Sequence, residues 1–361
     1  MTDVAARAGV AASTVSHVVN GTRPVSTELR RRVLEAIEET GYLPNRIARS
    51  LVTSDTHLIG IVMSALTNRF FVAVVAAMER AGRRHGYSSV LADSRDSVQG
   101  EADAVNALLS RRVDGIVLAP VAGDRKPVLD RLLSEEVPTV LIDRFADSRF
   151  DQVGVENIES TASLVEHLAA LGHSRIGFIG GLKGLSTTEE RIRGYRLGLE
   201  RSGLGYDHNL VASGRSAAAP AEQALGLLLD RPAPPTAIVS GNNYMTIGVL
   251  AGLRKRGMRV PDDIALVAYD DIEFAEVFHP RLTVIAQPVL QIASTVVNLL
   301  IRRMTGKDGA GPPQATRLPG TFVHRESCGC PPNGSAPPAR SQPRRHPEQP
   351  PRSRHALVAE G

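Results

Sequence analysis

The sequence predicts an α/β protein: a small helical region at the N-terminus, then a long doubly wound core in two lobes, then a tail that cannot fold. Three observations lead there. Residues 1–51 read as short helical patterns separated by turns. From Leu58 the text changes to short Val/Ile/Leu runs alternating with longer amphipathic stretches. After Glu326 the chain turns to Pro, Arg and Ser.

The helical region comes first. Thr2 is placed to cap a helix with Asp3 in its first turn, and Gly9 stops it. A second helix runs from about Ala12 to Val19 and ends at Asn20-Gly21. Val15, Val18 and Val19 form its apolar side, while Ser13, Ser16, His17 and Asn20 recur at i, i+3, i+4 and i+7 as one polar stripe. A third helix starts at Ser26, buries Leu29, Val33 and Ile37, and ends at Gly41. Two short helices joined by a tight turn and backed by a third form a helix-turn-helix arrangement, whose second helix suits a DNA major groove. An ordinary three-helix bundle with a polar outer face fits the same pattern. The next segment, Gly41 to Leu51, puts Pro44 near the start of a short helix and leaves Arg46 and Arg49 available to phosphates.

The strand candidates are LIGIVM (58–63), SSVLAD (88–93), GIVLAP (115–120), PTVLID (138–143), RIGFIG (175–180), TAIVS (236–240) and IALVAY (264–269). Near-continuous branched runs suit strands buried on both faces of a parallel sheet. The first four start about 25–30 residues apart, the length of a βα unit. Ligands of open parallel sheets sit beyond the strands' carboxyl ends. The residues there are Ser64 to Phe71, Asp93, Pro120, Asp143 with Arg144, Gly180 with Gly181, Asn242 with Asn243, and Asp270 with Asp271. Such a set suits a hydrogen-bonding small molecule, although strand-end capping would explain any one of its members.

Composition removes several classes. Apolar residues make up 42% of the 361, enough for real cores, with no Trp. No apolar run reaches the roughly 18–20 residues of a membrane helix, and MTDVAARAGV lacks the features of a signal peptide. Two cysteines, Cys328 and Cys330, cannot form a disulfide framework, which fits a reducing cytoplasm. The net charge of +4 hints at a polyanionic partner, but residues 331–361 hold five Arg against two acidic residues, with eight Pro. That segment supplies +3 of the total, so charge alone does not establish nucleic-acid binding.

Two longer stretches carry a resemblance. DVAARAGVAASTVSHVVNG, GYLPNRIARSL and the βα region behind them resemble the lac-repressor (LacI) family of bacterial transcription regulators, with echoes in HLAALGHSRIGFIGG, RIRGY, PTAIVSGNN and PDDIALVAYDD. The likeness covers residues 3–327. It implies a helix-turn-helix headpiece (1–44), a hinge helix and linker (45–56), and a two-lobed periplasmic-binding-protein-like core (57–327). One lobe would hold 57–155 and 284–312, the other 156–283 and 313–327, with 328–361 a disordered tail. It further implies a homodimer on double-stranded operator DNA, repression, and control by a small-molecule effector, such as a sugar or related metabolite, bound between the lobes. No cofactor or metal is implied. A tetramer is disfavoured, since the tail has no apolar heptads and its prolines oppose a coiled coil.

Carried over by position, the resemblance gives Ala12, Ser13 and His17 to base edges. It gives Thr14, Ser16 and Asn20 mainly to phosphates, with Asn45, Arg46 and Arg49 in the hinge segment and Leu51 as a minor-groove wedge. His17 stands where many members have Arg, whose bidentate fork to guanine an imidazole cannot reproduce; a shift of about 1–3 kcal/mol at that base pair is expected. Ala11 replaces a frequent Ser cap, a loss of about 1 kcal/mol. The chain also begins close to helix one, a few residues short of the usual start. The effector positions are Ser64, Asp143, Arg191, Asn242, Asp270 and Gln287, with Phe70 or Phe71 as a wall. A surface ion pair with Glu189 or Glu190 is the alternative for Arg191. SGRSAAAPAEQ lacks the aromatic platform of many sugar-responsive members, and Asn243 replaces a common Asp, so effector identity does not carry over and loss of the effector stays open.

Other chemistries fare worse. GFIGGLKG is a loose glycine loop without a full phosphate fingerprint. Cys328-Gly329-Cys330, even with His324 nearby, falls short of a zinc site. No nucleophile, base and orienting group assemble, so no enzyme is expected. A solute-binding protein would share the core but would normally carry an export signal in place of the headpiece; a sugar-kinase-like enzyme would need a phosphate loop.

Overall fold

The computed structural model describes residues 1–20, 23–42, 55–272, 279–306 and 311–330, with the side chain of Asn20 excepted. Asn45, Arg46, Arg49 and Leu51 of the expected hinge, and the Pro/Arg-rich segment from Pro331 onward, lie outside the described residues.

Three helices open the chain: α1 (Thr2–Ala8), α2 (Ala12–Asn20) and α3 (Thr27–Thr40). The Ala5 N–H bonds the Met1 carbonyl, so Met1 is the cap residue and Thr2 the first helical residue; Thr2 does not cap. Gly9, at φ 63°, ends α1 in the left-handed conformation that a glycine tolerates best, and Gly41 does the same for α3. Ser26 caps α3 by accepting the Leu29 N–H. Four valines (Val4, Val15, Val18, Val33) and three alanines (Ala5, Ala8, Ala36) make the core of this headpiece, with Ile37 and Val19 packed at its margin. Arg32 donates to the Ala8 carbonyl and ties α3 to the end of α1.

Beyond the headpiece the chain runs β1 (Leu58–Met63), α4 (Arg69–Arg84), β2 (Ser88–Asp93), α5 (Val98–Ser110), β3 (Gly115–Leu118), α6 (Lys126–Ser134), β4 (Thr139–Ile142) and β5 (Asp151–Val155). A second series follows: α7 (Ile158–Ala170), β6 (Ile176–Gly180), α8 (Ser186–Arg201), β7 (Val211–Ser213), α9 (Ala218–Leu229), β8 (Ala237–Ser240), α10 (Asn243–Lys255), β9 (Ala265–Tyr269) and β10 (Thr283–Ala286). Helix α11 (Val289–Thr305) and strands β11 (Ala315–Leu318) and β12 (Thr321–Val323) close the described chain.

The strands form two sheets, ordered β2-β1-β3-β4-β5-β11 and β7-β6-β8-β9-β10-β12. Within each, the neighbours from the second-strand edge to the fourth strand pair in parallel. The order reverses at β1/β3 and at β6/β8, the switch points where open α/β sheets hold ligands. In the second sheet, one apolar layer centres on Phe178, Tyr195 and Val267 and the other on Ile179, Leu225 and Leu266, so both faces are covered. SSVLAD departs from the expectation of a strand buried on both faces: β2 is an edge strand and is largely exposed.

The described residues divide into two compact units, those within 1–154 with 289–316, and those within 155–288 with 317–330. The later crossings lie a few residues beyond the 283/284 and 312/313 read from the sequence. Thr283–Ala286 stays with the second unit because it pairs with β9 and β12, and the Gln314 carbonyl accepts the Gln152 N–H in the first. The tail boundary at 328 is also corrected. Cys328 is fully buried in the second unit's core, and Ser327 bridges Leu266 and Thr283, so the packed chain runs on through Cys330. Among the described residues no helix is long and apolar enough to cross a membrane.

Candidate functional site

The polar stripe of α2 lies opposite its buried valines. Val15 and Val18 face the headpiece core, Ala12 and Ser13 are exposed, and Thr14, Ser16 and His17 are half-buried. Positions three and four apart share a helical face, so Ser13, Ser16 and His17 fall on one side of α2. Such a face, with hydrogen-bonding side chains on a helix anchored from behind, is chemically compatible with reading base edges.

In the second unit the strand ends converge on Arg191. It is only 7% exposed, on the second turn of α8. Its Nε donates to Asn157 Oδ1 at 2.9 Å and one terminal nitrogen to the Gly241 carbonyl at 2.6 Å, while its guanidinium carbon lies 3.6 Å from the centroid of the Tyr269 ring. Asn157 Nδ2 donates to Glu190 Oε2 at 2.8 Å, and Arg317 donates to the other oxygen of Glu190 at 2.8 Å. The alternative of a surface ion pair for Arg191 is therefore replaced by a buried hydrogen-bonded chain, and Glu190 takes Arg317 instead. Tyr269 donates to the Glu156 carbonyl, and burial pushes its phenol above the ordinary range. Close helix packing sets this geometry: a Cβ on Gly194 would strike the Ile158 carbonyl, so α8 can approach α7 only with glycine there.

Asp270 follows β9 at φ 74° and is 5% exposed. One carboxylate oxygen accepts Gln287 Nε2 at 2.6 Å and the other the Asn243 N–H at 3.3 Å. The buried Gln287 Oε1 has no hydrogen-bond partner among the described residues. Asn242 caps α10, accepting the Met245 N–H at 2.8 Å. In the glycine loop after β6, a Cβ on Gly181 would lie 2.6 Å from Thr188 Oγ1 and 2.7 Å from Ser216 Oγ, so glycine permits the close packing there.

The first unit has its own strand-end group. Asp143 follows β4 at φ 67°, the position matching Asp270 in the second sheet. The buried guanidinium here is Arg144, which donates to Asp96 and to the Pro120 carbonyl, both at 2.9 Å, and lies 3.5 Å from Asp143. Ser64, 2% exposed at the end of β1, has a hydroxyl without a partner among the described residues. Phe71 is a buried side chain of α4, with its ring centroid 5.3 Å from that of the half-buried Phe70. Glu101 is fully buried; one of its oxygens accepts the Val121 N–H at 2.8 Å, and burial raises its pKa.

The fold thus brings Arg191, Asn242, Asp270 and Gln287 to the strand ends of one unit, and Ser64, Phe70, Phe71 and Asp143 to those of the other. Sequence reasoning missed Asn157 and Tyr269, which share Arg191. Tyr269 was visible only as the polar tip of an otherwise apolar run, and Asn157 gave no signal. It also left Cys328 and Cys330 short of partners; the fold supplies His324 and His167.

Residues 1–45 match the bacterial regulatory proteins of the lacI family, and residues 165–328 match a periplasmic binding protein-like domain. The ribose operon repressor of Escherichia coli K12 is 34% identical over 308 residues, 84% of this chain and 93% of that protein. The transcriptional repressor PurR of Vibrio atlanticus is 32% identical over 309 residues, 85% and 92% of the two chains. Among solved structures, the lac repressor dimer bound to operator and the anti-inducer ONPF superposes with a TM-score of 0.80 at 30% identity, covering 90% of this chain and 98% of that one. The complex of the regulator CelR with cellobiose gives 0.70 at 32% identity, over the same shares. With a matching headpiece, a matching core and relatives aligned over nearly their whole length, this chain belongs to the lacI family of bacterial regulatory proteins.

Proposed function

We propose that the protein is a sequence-specific DNA-binding repressor, acting as a homodimer on a two-fold operator and controlled by a small-molecule effector held at the strand ends of its core. It is a regulator, not an enzyme, and a DNA target places its work with the chromosome in the cytoplasm. The observation that carries this reading is α2: a short helix fixed by Val15 and Val18 that turns Ala12, Ser13 and His17 to one outer region. Two-fold operators call for two copies of such a helix. Asn45, Arg46, Arg49 and Leu51 would add backbone and minor-groove contacts.

Arg191, Asp270 and Gln287 offer donors and acceptors together with the Tyr269 ring, and Ser64 and Asp143 do so in the other unit. That mixture suits a polyhydroxylated metabolite such as a pentose or hexose, in keeping with the ribose and cellobiose of the relatives' names. The effector changes DNA affinity by binding one core conformation more tightly than another, and the coupling equals that difference.

The test selects duplexes from a randomised pool with purified protein at moderate salt, then screens sugars and nucleobases by thermal shift. A preferred two-fold site and a ligand that raises Tm by several degrees are expected. If no duplex is preferred over scrambled DNA, the reading fails. In the same selection His17→Arg should change the preference at one symmetric base pair by about 1–3 kcal/mol; identical preferences would remove His17 from base reading.

A further inference from the structure

The strongest unassigned cluster lies at the C-terminal end of the packed chain. His167 near the end of α7, His324 just past β12, and Cys328 and Cys330 each present one ligand atom, and all four atoms lie within 4.8 Å of one another. Cys328 Sγ is 3.4 Å from His324 Nε2, and Cys330 Sγ is 3.6 Å from His167 Nε2. The two imidazoles meet edge to face with centroids 5.2 Å apart. With metal bonds of about 2.0 Å to nitrogen and 2.3 Å to sulfur, the edges of a tetrahedron measure roughly 3.3–3.8 Å. Both sulfur–nitrogen contacts already have that length, so side-chain rotations of about an ångström would complete the figure.

The backbone around the cluster is fixed. Leu266 N–H bonds the Ser327 carbonyl, the Ser327 hydroxyl donates to the Leu266 carbonyl, and the Thr283 N–H donates to that same hydroxyl. Gly329, at φ 84°, makes the turn between the two thiols. Cys328 is fully buried while His324 is exposed, so the cluster is rooted in the core and open to an ion from outside.

We propose that His167, His324, Cys328 and Cys330 form a tetrahedral zinc(II) site that clasps the C-terminal segment to α7. Two sulfur and two nitrogen ligands in a tetrahedron select zinc over calcium or magnesium, which take oxygen. On binding, both thiols release their protons to solvent, the neutral imidazoles enter through Nε2, and the ion sheds water. No oxidation or reduction is involved. The clasp joins α7 to the segment from His324 to Cys330, at the far end of the helix from Asn157.

The test uses the full-length protein purified under reducing conditions without chelator. Elemental analysis should find about one zinc per chain, and cobalt(II) added to stripped protein should give the visible absorption of a tetrahedral thiolate site. Zinc should raise Tm by several degrees over the stripped form. Cys328→Ser with Cys330→Ser should lose both signals. Because Cys328 is buried, His324→Ala serves as the second variant. It alters an exposed residue, and should weaken cobalt binding by more than the roughly 10–100-fold that loss of an outer partner costs. Absence of stoichiometric metal, a cobalt spectrum unchanged in these variants, or a Cys328–Cys330 disulfide in the reduced preparation would overturn the proposal.

Discussion

The two core units lay their first five strands in the same order, yet the helix after the first strand carries opposite chemistry in each. In α4 the buried positions are Phe71, Val74, Ala77, Met78, Ala81 and Gly82. In α8 they begin with Thr187, Thr188, Glu190 and Arg191 and turn small or largely apolar only at Gly194. The Asp after the fourth strand is common to both, at φ 67° and 74°. The strands and their apolar layers secure the topology, so the N-terminal turns of the helix behind the first strand are free to hold either packing or a buried charge. The first unit takes its guanidinium from the loop, as Arg144; the second takes it from the helix.

This contrast can be broken by substitution. Phe71→Ala removes a large buried side chain from α4 and should cost about 3–5 kcal/mol of stability, read by urea melts. Equal stability of wild type and variant would show that α4 is not a packing helix. Arg191→Ala should lower effector affinity by about 3 kcal/mol, over a hundredfold, and should abolish the ligand-induced rise in Tm while operator binding persists. Arg191→Lys should not restore it, since an ammonium cannot bridge Asn157 and Gly241 while stacked on Tyr269. Full rescue by Lys would mean that charge alone matters. Ser64→Ala probes the first unit. Its hydroxyl has no partner among the described residues, so stability should hold or rise slightly, while effector affinity drops by about 1 kcal/mol. Unchanged affinity in isothermal titration would place Ser64 outside the site.

The smallest effect is a slope with pH. Burial raises the pKa of Glu101, so the folded state binds its proton more tightly than the unfolded chain does. That stability is present below the ordinary carboxylate pKa and is lost as pH rises through the raised value. Glu101→Gln keeps an oxygen for the Val121 N–H and cannot ionise. The stability of wild type relative to this variant should therefore fall as pH climbs from about 4.5. A difference independent of pH would contradict the assignment.

Much of this architecture was legible in the sequence because strand runs and helix caps are local signals. LIGIVM, GIVLAP and IALVAY each became strands, Ser26 and Gly41 bracket α3, and RIRGY pointed to Arg191. Short edge strands such as β7 and β12 gave too few residues for periodicity to register. SSVLAD misled because an edge strand can be as apolar as a central one. What the sequence could not carry were meetings across long separations. Cys330 and His167 stand 163 residues apart, and nothing near either cysteine announces the second histidine. Asn157, beside Arg191 in space, is likewise an ordinary polar residue in the text.

The three crossings between the units have a consequence for how the protein is made. The first sheet lacks β11 and the second lacks β12 until almost the whole core has been synthesised. The headpiece, whose core draws only on residues 4–42, can fold as soon as it leaves the ribosome. A message cut short before Ala315 would thus yield a folded headpiece attached to a body with neither sheet complete, a DNA reader deprived of its sensor.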